Sequence, residues 1–524
     1  MGHGRSSIAN LLCIDSLASP LGCAPFKVRI NRDTSGSTIA MRFGTVRRAV
    51  LLAAASFATA SAVLAAPPGM AAPKVAAAAA PAAAQVPVEY HKLANGLKVV
   101  ISPDHSVPTA TVGVYYGIGF RIEPRDRTGF AHLFEHMMFQ GSKNLGKAEF
   151  IGLVNANGGV LNGSTRFDFT NYYEAIPSNT TETFLWAEAD RMKGLDITQD
   201  NLTNQQGVVK NEVKVNVLNQ PYGGFPWLDL PQLANTNWYN AHNFYGDLKE
   251  IDAATLTDVQ AFFKDYYAPN NAVLVVAGDV DPKQVMAWTQ KYFGSIPASA
   301  SLKFPDISEP RQTAEKRSEK VDALAPQPAL AWAYHVPPRN TPEWAAMRLI
   351  DLMLIQGADS RLTRVLVNQK GYSGDVSGGI NWPLGSAYDY NGPMLWSAFL
   401  IHGPEVTDDA ILADIDAVVK DLTDNLVTPA ELARAKTKAR SEIYDTMGDG
   451  YRFGLVNLLA SFALFDDDPG RINRMEAEIE KVTPELIRKT AREYLRSTNR
   501  TVISLKPGAA STTTAAATAP AAAK

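Results

Sequence analysis

The segment Gly129 to Met138 reads Gly-Phe-Ala-His-Leu-Phe-Glu-His-Met-Met, and its two histidines stand four residues apart. A helix is the element that stacks positions i and i+4 on one face, so the spacing predicts a helix with His132 and His136 side by side. Two imidazoles converging on one point form part of a metal site, and zinc accepts neutral nitrogen or carboxylate ligands at about 2 Å. Glu135, the neighbour of His136, would then stand beside the metal as a base. The plainer reading of the same five residues is a buried helix with two hydrogen-bonded histidines, and the rest of the chain decides between them.

The 524 residues suffice for two or more domains, and 46% hydrophobic with 20% charged residues is the balance of an ordinary globular protein. The character of the chain changes near Met41. Arg42, Arg47 and Arg48 precede an apolar, Ala-rich run from Ala49 to Ala66, followed by Pro67-Pro68. This reads as a secretory signal peptide over 41–66, with cleavage after Ala65 or Ala66. An uncleaved membrane anchor is the alternative, but the run is short and interrupted by Ser56, Thr59 and Ser61, so no stable anchor is expected. The expected compartment is the periplasm. Arg47-Arg48 leaves twin-arginine export open.

Residues 1–40 are read as a non-native or dispensable extension. Both cysteines, Cys13 and Cys23, lie there, so an exported chain has no thiol for disulfides, nucleophilic catalysis or metal ligation. Without residues 1–66 the chain keeps 43 Lys and Arg against 51 Asp and Glu, a net charge of −8. That mildly acidic balance excludes a basic nucleic-acid footprint.

Residues 67–87 are an Ala/Pro linker and 506–524 an Ala/Thr-rich tail, both too poor in large apolar side chains to pack a core. Between them lie two α/β stretches, 88–298 and 326–505, joined by a polar connector over 299–325. In the first, Leu97 to Ser102 and Thr109 to Tyr116 read as strands, with Asn95-Gly96 as a turn. Thr257-Asp258-Val259-Gln260 reads as a capping box opening a helix that ends near Tyr267. Pro269-Asn270-Asn271 breaks that helix, and Val273 to Val276 is a buried strand. The second stretch closes in the same way: a helix from Thr483-Pro484 to Tyr494, then a strand at Thr501 to Ser504. This is a faint internal repeat. Ile411, Leu412, Ile415, Val418, Val419 and Leu422 build one apolar helical stripe, and a further helix opens at Thr428-Pro429.

Two histidines leave a catalytic zinc one protein ligand short. Glu212, 76 positions after His136, lies in a helical run at Val208 to Val213. From here the chain resembles the M16 metallopeptidases, the inverzincin family. The matching residues run in order from 88 to 505: Asn95-Gly96-Leu97, Gly129-x-Ala131-His132-x-x-Glu135-His136-Met137-x-Phe139-x-Gly141, Gly158-Gly159-x-x-Asn162, Asp168-x-Thr170, Tyr172-Tyr173, Asp190-Arg191-Met192, Asn211-Glu212 and Tyr267-x-Pro269-x-Asn271.

The resemblance implies an α+β fold, with two tandem homologous domains forming half of a clamshell. It implies one Zn²⁺ per chain on His132, His136 and Glu212, with Glu135 polarising the attacking water, and hydrolysis of peptide bonds. Val160 to Ser164 resembles the family's edge strand, so Leu161, Asn162, Gly163 and Ser164 are the expected contacts of an extended peptide substrate. Asn162 has a second reading, as a turn-stabilising residue after Gly158-Gly159.

Two departures qualify the likeness. Where many members have a glutamate supporting the metal, seven residues before the third ligand, this chain has Gln205, which can orient a ligand but brings no charge. In the second domain, aligning Ser360-Arg361-Leu362 puts Val367 and Gly374 where active members carry an arginine and a tyrosine that hold the substrate and its oxyanion. Neither can donate a side-chain hydrogen bond. Arg364 and Tyr372 stand nearby but out of register. A heterodimer is therefore expected, with a homologous subunit lacking H-x-x-E-H supplying Arg and Tyr; a homodimer is the simpler alternative, and a non-catalytic assembly subunit the competing class.

Overall fold

A computed structural model describes residues 85–508. The extension, the signal peptide, nearly all of the Ala/Pro linker and most of the tail lie outside the described residues.

Among the described residues, eleven strands form two sheets. The first combines β1 (Glu89–Lys92), β2 (Lys98–Pro103), β3 (Thr109–Tyr116), β4 (Val160–Thr165), β5 (Thr170–Pro177) and β6 (Ala272–Gly278) in the order β1-β2-β6-β3-β5-β4. The second combines β7 (Lys316–Asp322), β8 (Ala329–His335), β9 (Ser377–Ile380), β10 (Leu395–Ile401) and β11 (Arg500–Pro507) in the order β7-β11-β8-β10-β9. Strand β2 is parallel to β6, which is antiparallel to β3, then β5, then β4. Strand β7 is parallel to β11, which is antiparallel to β8, then β10, then β9. The repeat glimpsed at two helix-strand endings is thus a repeat of a whole sheet, with β1 added at one edge. The protein is α+β, two mixed sheets packed with helices.

The segment 299–325 is not all connector, because β7 lies inside it and pairs with β11 along its length. Its sequence Lys-Arg-Ser-Glu-Lys-Val-Asp carries alternating charge and little apolar surface, so it reads as linker; charge of this kind protects an exposed edge strand from stray pairing. The helix at Leu256–Tyr266 opens earlier than its sequence suggests. Its capping box is Thr255 with Asp258, whose side chains bond each other's backbone N–H groups, so the helix starts before Thr257. Thr255 has Asp258 three residues on and Thr257 has Gln260, so both fit a capping pattern and the local sequence does not say which one turns the chain.

Among the helices of the described residues, those that matter here are α1 (Phe130–Met137), α2 (Thr181–Lys193), α3 (Gln199–Val213), α4 (Leu256–Tyr266), α5 (Pro342–Leu354), α6 (Asp408–Asp424), α7 (Pro429–Met447), α8 (Phe453–Asp466) and α9 (Pro484–Tyr494). The stripe Ile411 to Leu422 is buried on α6 as its spacing requires, and Thr428 and Thr483 cap α7 and α9 through their hydroxyls. Side chains from one face of the first sheet, including Val99, Ile101, Val112, Val114, Leu274 and Val276, pack with α1 to α4. Val100, Tyr115, Val273 and Val275 point the other way, into a core shared with the second half. Helix α8 covers that face; it has eight buried residues between Leu455 and Ala463, as a helix apolar all round should. Burial on both faces explains the unbroken apolar run of β6, every residue of which is buried. No helix among the described residues is long and apolar enough to cross a membrane.

Candidate metal centre

Helix α1 has no side-chain cap of its own, and two carboxylates from outside it serve instead. The buried Glu123 accepts from the N–H groups of Gly129 at 2.8 Å and Ala131 at 2.6 Å, while Glu250 accepts from Thr128 N–H at 2.8 Å. Negative charge here also favours the positive end of the helix. Gly129 is in the left-handed region at φ 80°, and a Cβ there would lie 2.6 Å from the carbonyl oxygen of Tyr245, so glycine is required.

His132 and His136 emerge one turn apart, 1% and 4% exposed, with ring centroids 4.9 Å apart. Glu212, near the end of α3, meets both: its carboxylate oxygens lie 3.5 Å from Nε2 of His132 and 3.2 Å from Nε2 of His136. Donor atoms of the three residues all fall within 4.8 Å of one another. Burial opposes ionisation of Glu212, but the two imidazoles outweigh it and hold its carboxyl at about 2.

The donor set fits zinc. Tetrahedral coordination at about 2 Å sets ligand atoms roughly 3.3 Å apart, close to both histidine–glutamate separations. Among the described residues His132 Nε2 and Glu212 Oε1 find no hydrogen-bond partner although both are buried, a costly arrangement that a shared cation relieves.

Glu135 is buried, and its Oε2 accepts a hydrogen bond from the hydroxyl of Thr165 at 2.7 Å. Thr165 ends β4, which runs past α1 at the edge of the sheet, paired only with β5. Gly163 faces the base: a Cβ on it would make an ordinary contact with Glu135 Cγ at 3.4 Å. Asn162 bonds the following N–H at 2.9 Å, and Ser164 donates across to Asn171 at 2.5 Å, so both side chains are engaged within the strand pair. Leu161 is half-buried. Thr165 was not among the residues singled out by sequence, yet a strand's period of two places it on the face of Gly163, which touches the base.

Gln205, 3% exposed, lies two turns before Glu212 on α3, and its amide oxygen meets no hydrogen-bond donor among the described residues. In the second domain, Val367 packs partly buried against the core and Gly374 is exposed. Tyr372 gives its hydroxyl to Asp414 on α6 at 2.9 Å, and Arg364 is exposed. The out-of-register tyrosine is thus committed within its own domain. An aromatic wall not foreseen from sequence backs the centre: Phe244 and Tyr245 lie 5.8 Å and 5.2 Å from the His132 ring, and Trp227 packs against both.

A two-sheet α+β scaffold carrying H-x-x-E-H and a distant glutamate has clear relatives. Residues 98–222 match the family profile described as Insulinase (Peptidase family M16), and residues 253–439 the one described as Peptidase M16 inactive domain. The chain is 27% identical over 425 residues to the zinc protease PqqE of Helicobacter pylori, covering 79% of this chain and 92% of that protein. A crystal structure of a protease from Helicobacter pylori superposes with a TM-score of 0.74 at 25% identity, over 80% of this chain and all of that one. The β subunit of the Saccharomyces cerevisiae mitochondrial-processing peptidase is 27% identical over 218 residues, 40% of this chain and 45% of that subunit. The chain belongs to the M16 peptidase family.

Proposed function

We propose that this chain is a zinc-dependent endopeptidase subunit, exported to the periplasm, that hydrolyses peptides or small unfolded polypeptides in an enclosed chamber. The observation that carries this reading is the convergence of His132, His136 and Glu212 with Glu135 alongside. The three ligands would hold one zinc per chain. When bound, zinc lowers the pKa of water to about 7 and polarises a carbonyl. Glu135 takes the proton of the attacking water and returns it to the leaving amine, with Thr165 fixing its carboxylate. The free edge of β4 pairs with an extended peptide, and backbone pairing tolerates many side chains.

The second domain has no donor at positions 367 and 374, so a homologous subunit lacking H-x-x-E-H completes the site with an arginine and a tyrosine. The relation to a processing-peptidase subunit supports that division of labour. The competing reading, a non-catalytic assembly subunit, draws on the same two positions and on the inactive-domain match over 253–439.

The test is zinc content and cleavage of internally quenched peptides by the mature chain from about Ala66, with and without the partner. Zinc near one per chain and cleavage abolished by Glu135→Gln are expected. Zinc without cleavage in any mixture would leave the assembly reading.

A further inference from the structure

Tyr245 stands at the metal centre with a hydroxyl that donates to no described residue. The residue as a whole is 5% exposed, and its pKa is raised by burial, then by Glu212, then by Glu135. The two carboxylates it feels are the metal ligand and the base.

The residue is held from two sides. Its backbone is locked to the turn that opens α1: its N–H donates to Asn243 at 2.9 Å, its carbonyl oxygen abuts Gly129, and the next N–H but one, that of Asp247, donates to Thr128 at 2.9 Å. Gly246, at φ 68°, allows this docking, since a Cβ there would lie 2.4 Å from Gly129 N. The ring sits edge-on between the His132 imidazole at 5.2 Å, Phe244 at 4.8 Å and Trp227 at 5.8 Å. A side chain so confined is preorganised, the condition under which a donor stabilises developing charge without reorganising.

We propose that Tyr245 is a catalytic residue of this centre, its phenol donating a hydrogen bond to the scissile carbonyl oxygen as that oxygen gains negative charge. The inference rests on the peptidase reading above and adds a donor from the chain's own first domain, where positions 367 and 374 offer none. A single oxyanion donor commonly contributes about 10² to 10³ in rate. No bond to Tyr245 forms, and its proton stays on the phenol throughout.

Tyr245→Phe removes the hydroxyl and keeps the ring that packs on His132. The experiment compares wild type, Tyr245→Phe and Glu135→Gln, each with and without the homologous subunit. It follows quenched-peptide kinetics, zinc content, thermal midpoint and calorimetric affinity for two probes. One is a phosphinic peptide, which mimics the tetrahedral oxyanion; the other is acetohydroxamate, which only chelates metal.

For Tyr245→Phe the expected result is a kcat reduced about 10²-fold. KM, zinc content, thermal midpoint and hydroxamate affinity should be unchanged, and phosphinic-peptide affinity weakened at least about tenfold. Unchanged kcat and phosphinic affinity would overturn the proposal, as would a loss of zinc, which would make the residue a support for His132. Failure of the peptidase reading looks different: wild type loaded with zinc cleaves nothing with or without partner, and the inference falls with it.

Discussion

Glu135 is useful as a base only if its carboxylate points where the proton arrives, and the hydroxyl of Thr165 fixes one of its two oxygens. Thr165→Val keeps the shape and deletes the donor. We expect kcat to fall about tenfold, the equivalent of about 1.4 kcal/mol, with zinc content unchanged. Thr165→Ser should restore most of it; a serine variant as slow as valine would mean that the methyl group, not the hydroxyl, matters. His132, Glu135 and His136 were legible as residue types at a helical spacing, whereas Glu212 entered only through the family resemblance, because nothing local ties it to two imidazoles 76 or more positions earlier. Thr165 and Tyr245 were not legible, since their roles depend on a strand edge and a loop docking against α1, contacts that no local pattern encodes.

Strand β3 carries a lesson about glycine. Thr109 to Tyr116 reads as a strand from its alternation and β-branched residues and is one, to the residue. Gly113 in its middle should weaken it, yet a Cβ there would lie 2.7 Å from Val456 Cγ1 on α8. The glycine is the notch that lets α8 settle on the sheet. Beside it, Thr111 donates to the carbonyl of Tyr451 at 2.6 Å, just ahead of the helix. Gly113→Val should lift α8 and cost about 1–3 kcal/mol, read as a lower midpoint in thermal or urea unfolding. A midpoint within error of wild type would mean that α8 shifts freely. The helical stripe on α6 and the caps at Thr428 and Thr483 were readable because they are local, although the cap of α4 lies two residues earlier than its sequence suggests. The pairing of β7 was not, because its charged sequence acquires a partner only when β11, the last strand, arrives.

The two halves hold each other by polar ties as well as by α8. Arg121, buried, pairs with Asp168 at 2.7 Å and donates to the carbonyl of Pro393 at 3.0 Å, while Asn391 N–H reaches the same aspartate at 2.7 Å. Arg452 binds Asp104 across the halves at 2.8 Å, and that hydrogen bond holds the Asp104 carboxyl down at about 2. A carboxyl depressed on folding contributes stability that is complete above its unfolded value near 4 and is lost as pH falls towards 2. The difference in melting temperature between wild type and Asp104→Asn should therefore be present at pH 6 and shrink progressively below pH 4; a difference constant down to pH 2 would remove the ion pair as its cause. A fragment ending at residue 310 keeps His132, Glu135, His136 and Glu212 but loses α8, and should be insoluble or aggregated by size-exclusion chromatography. A monodisperse, zinc-binding fragment would contradict this.

The placement of α8 also sets a timetable. Synthesis runs from the N-terminus, so the first sheet has all six strands once Gly278 is made, while the helix that covers its second face is still unmade until Phe453 to Asp466 follow. Through that interval the half bearing His132, His136 and Glu212 presents bare Val100, Val273 and Val275 to whatever surrounds it. A nascent chain of this design calls for a holding chaperone, or for a delay in folding that lasts until its end is in hand.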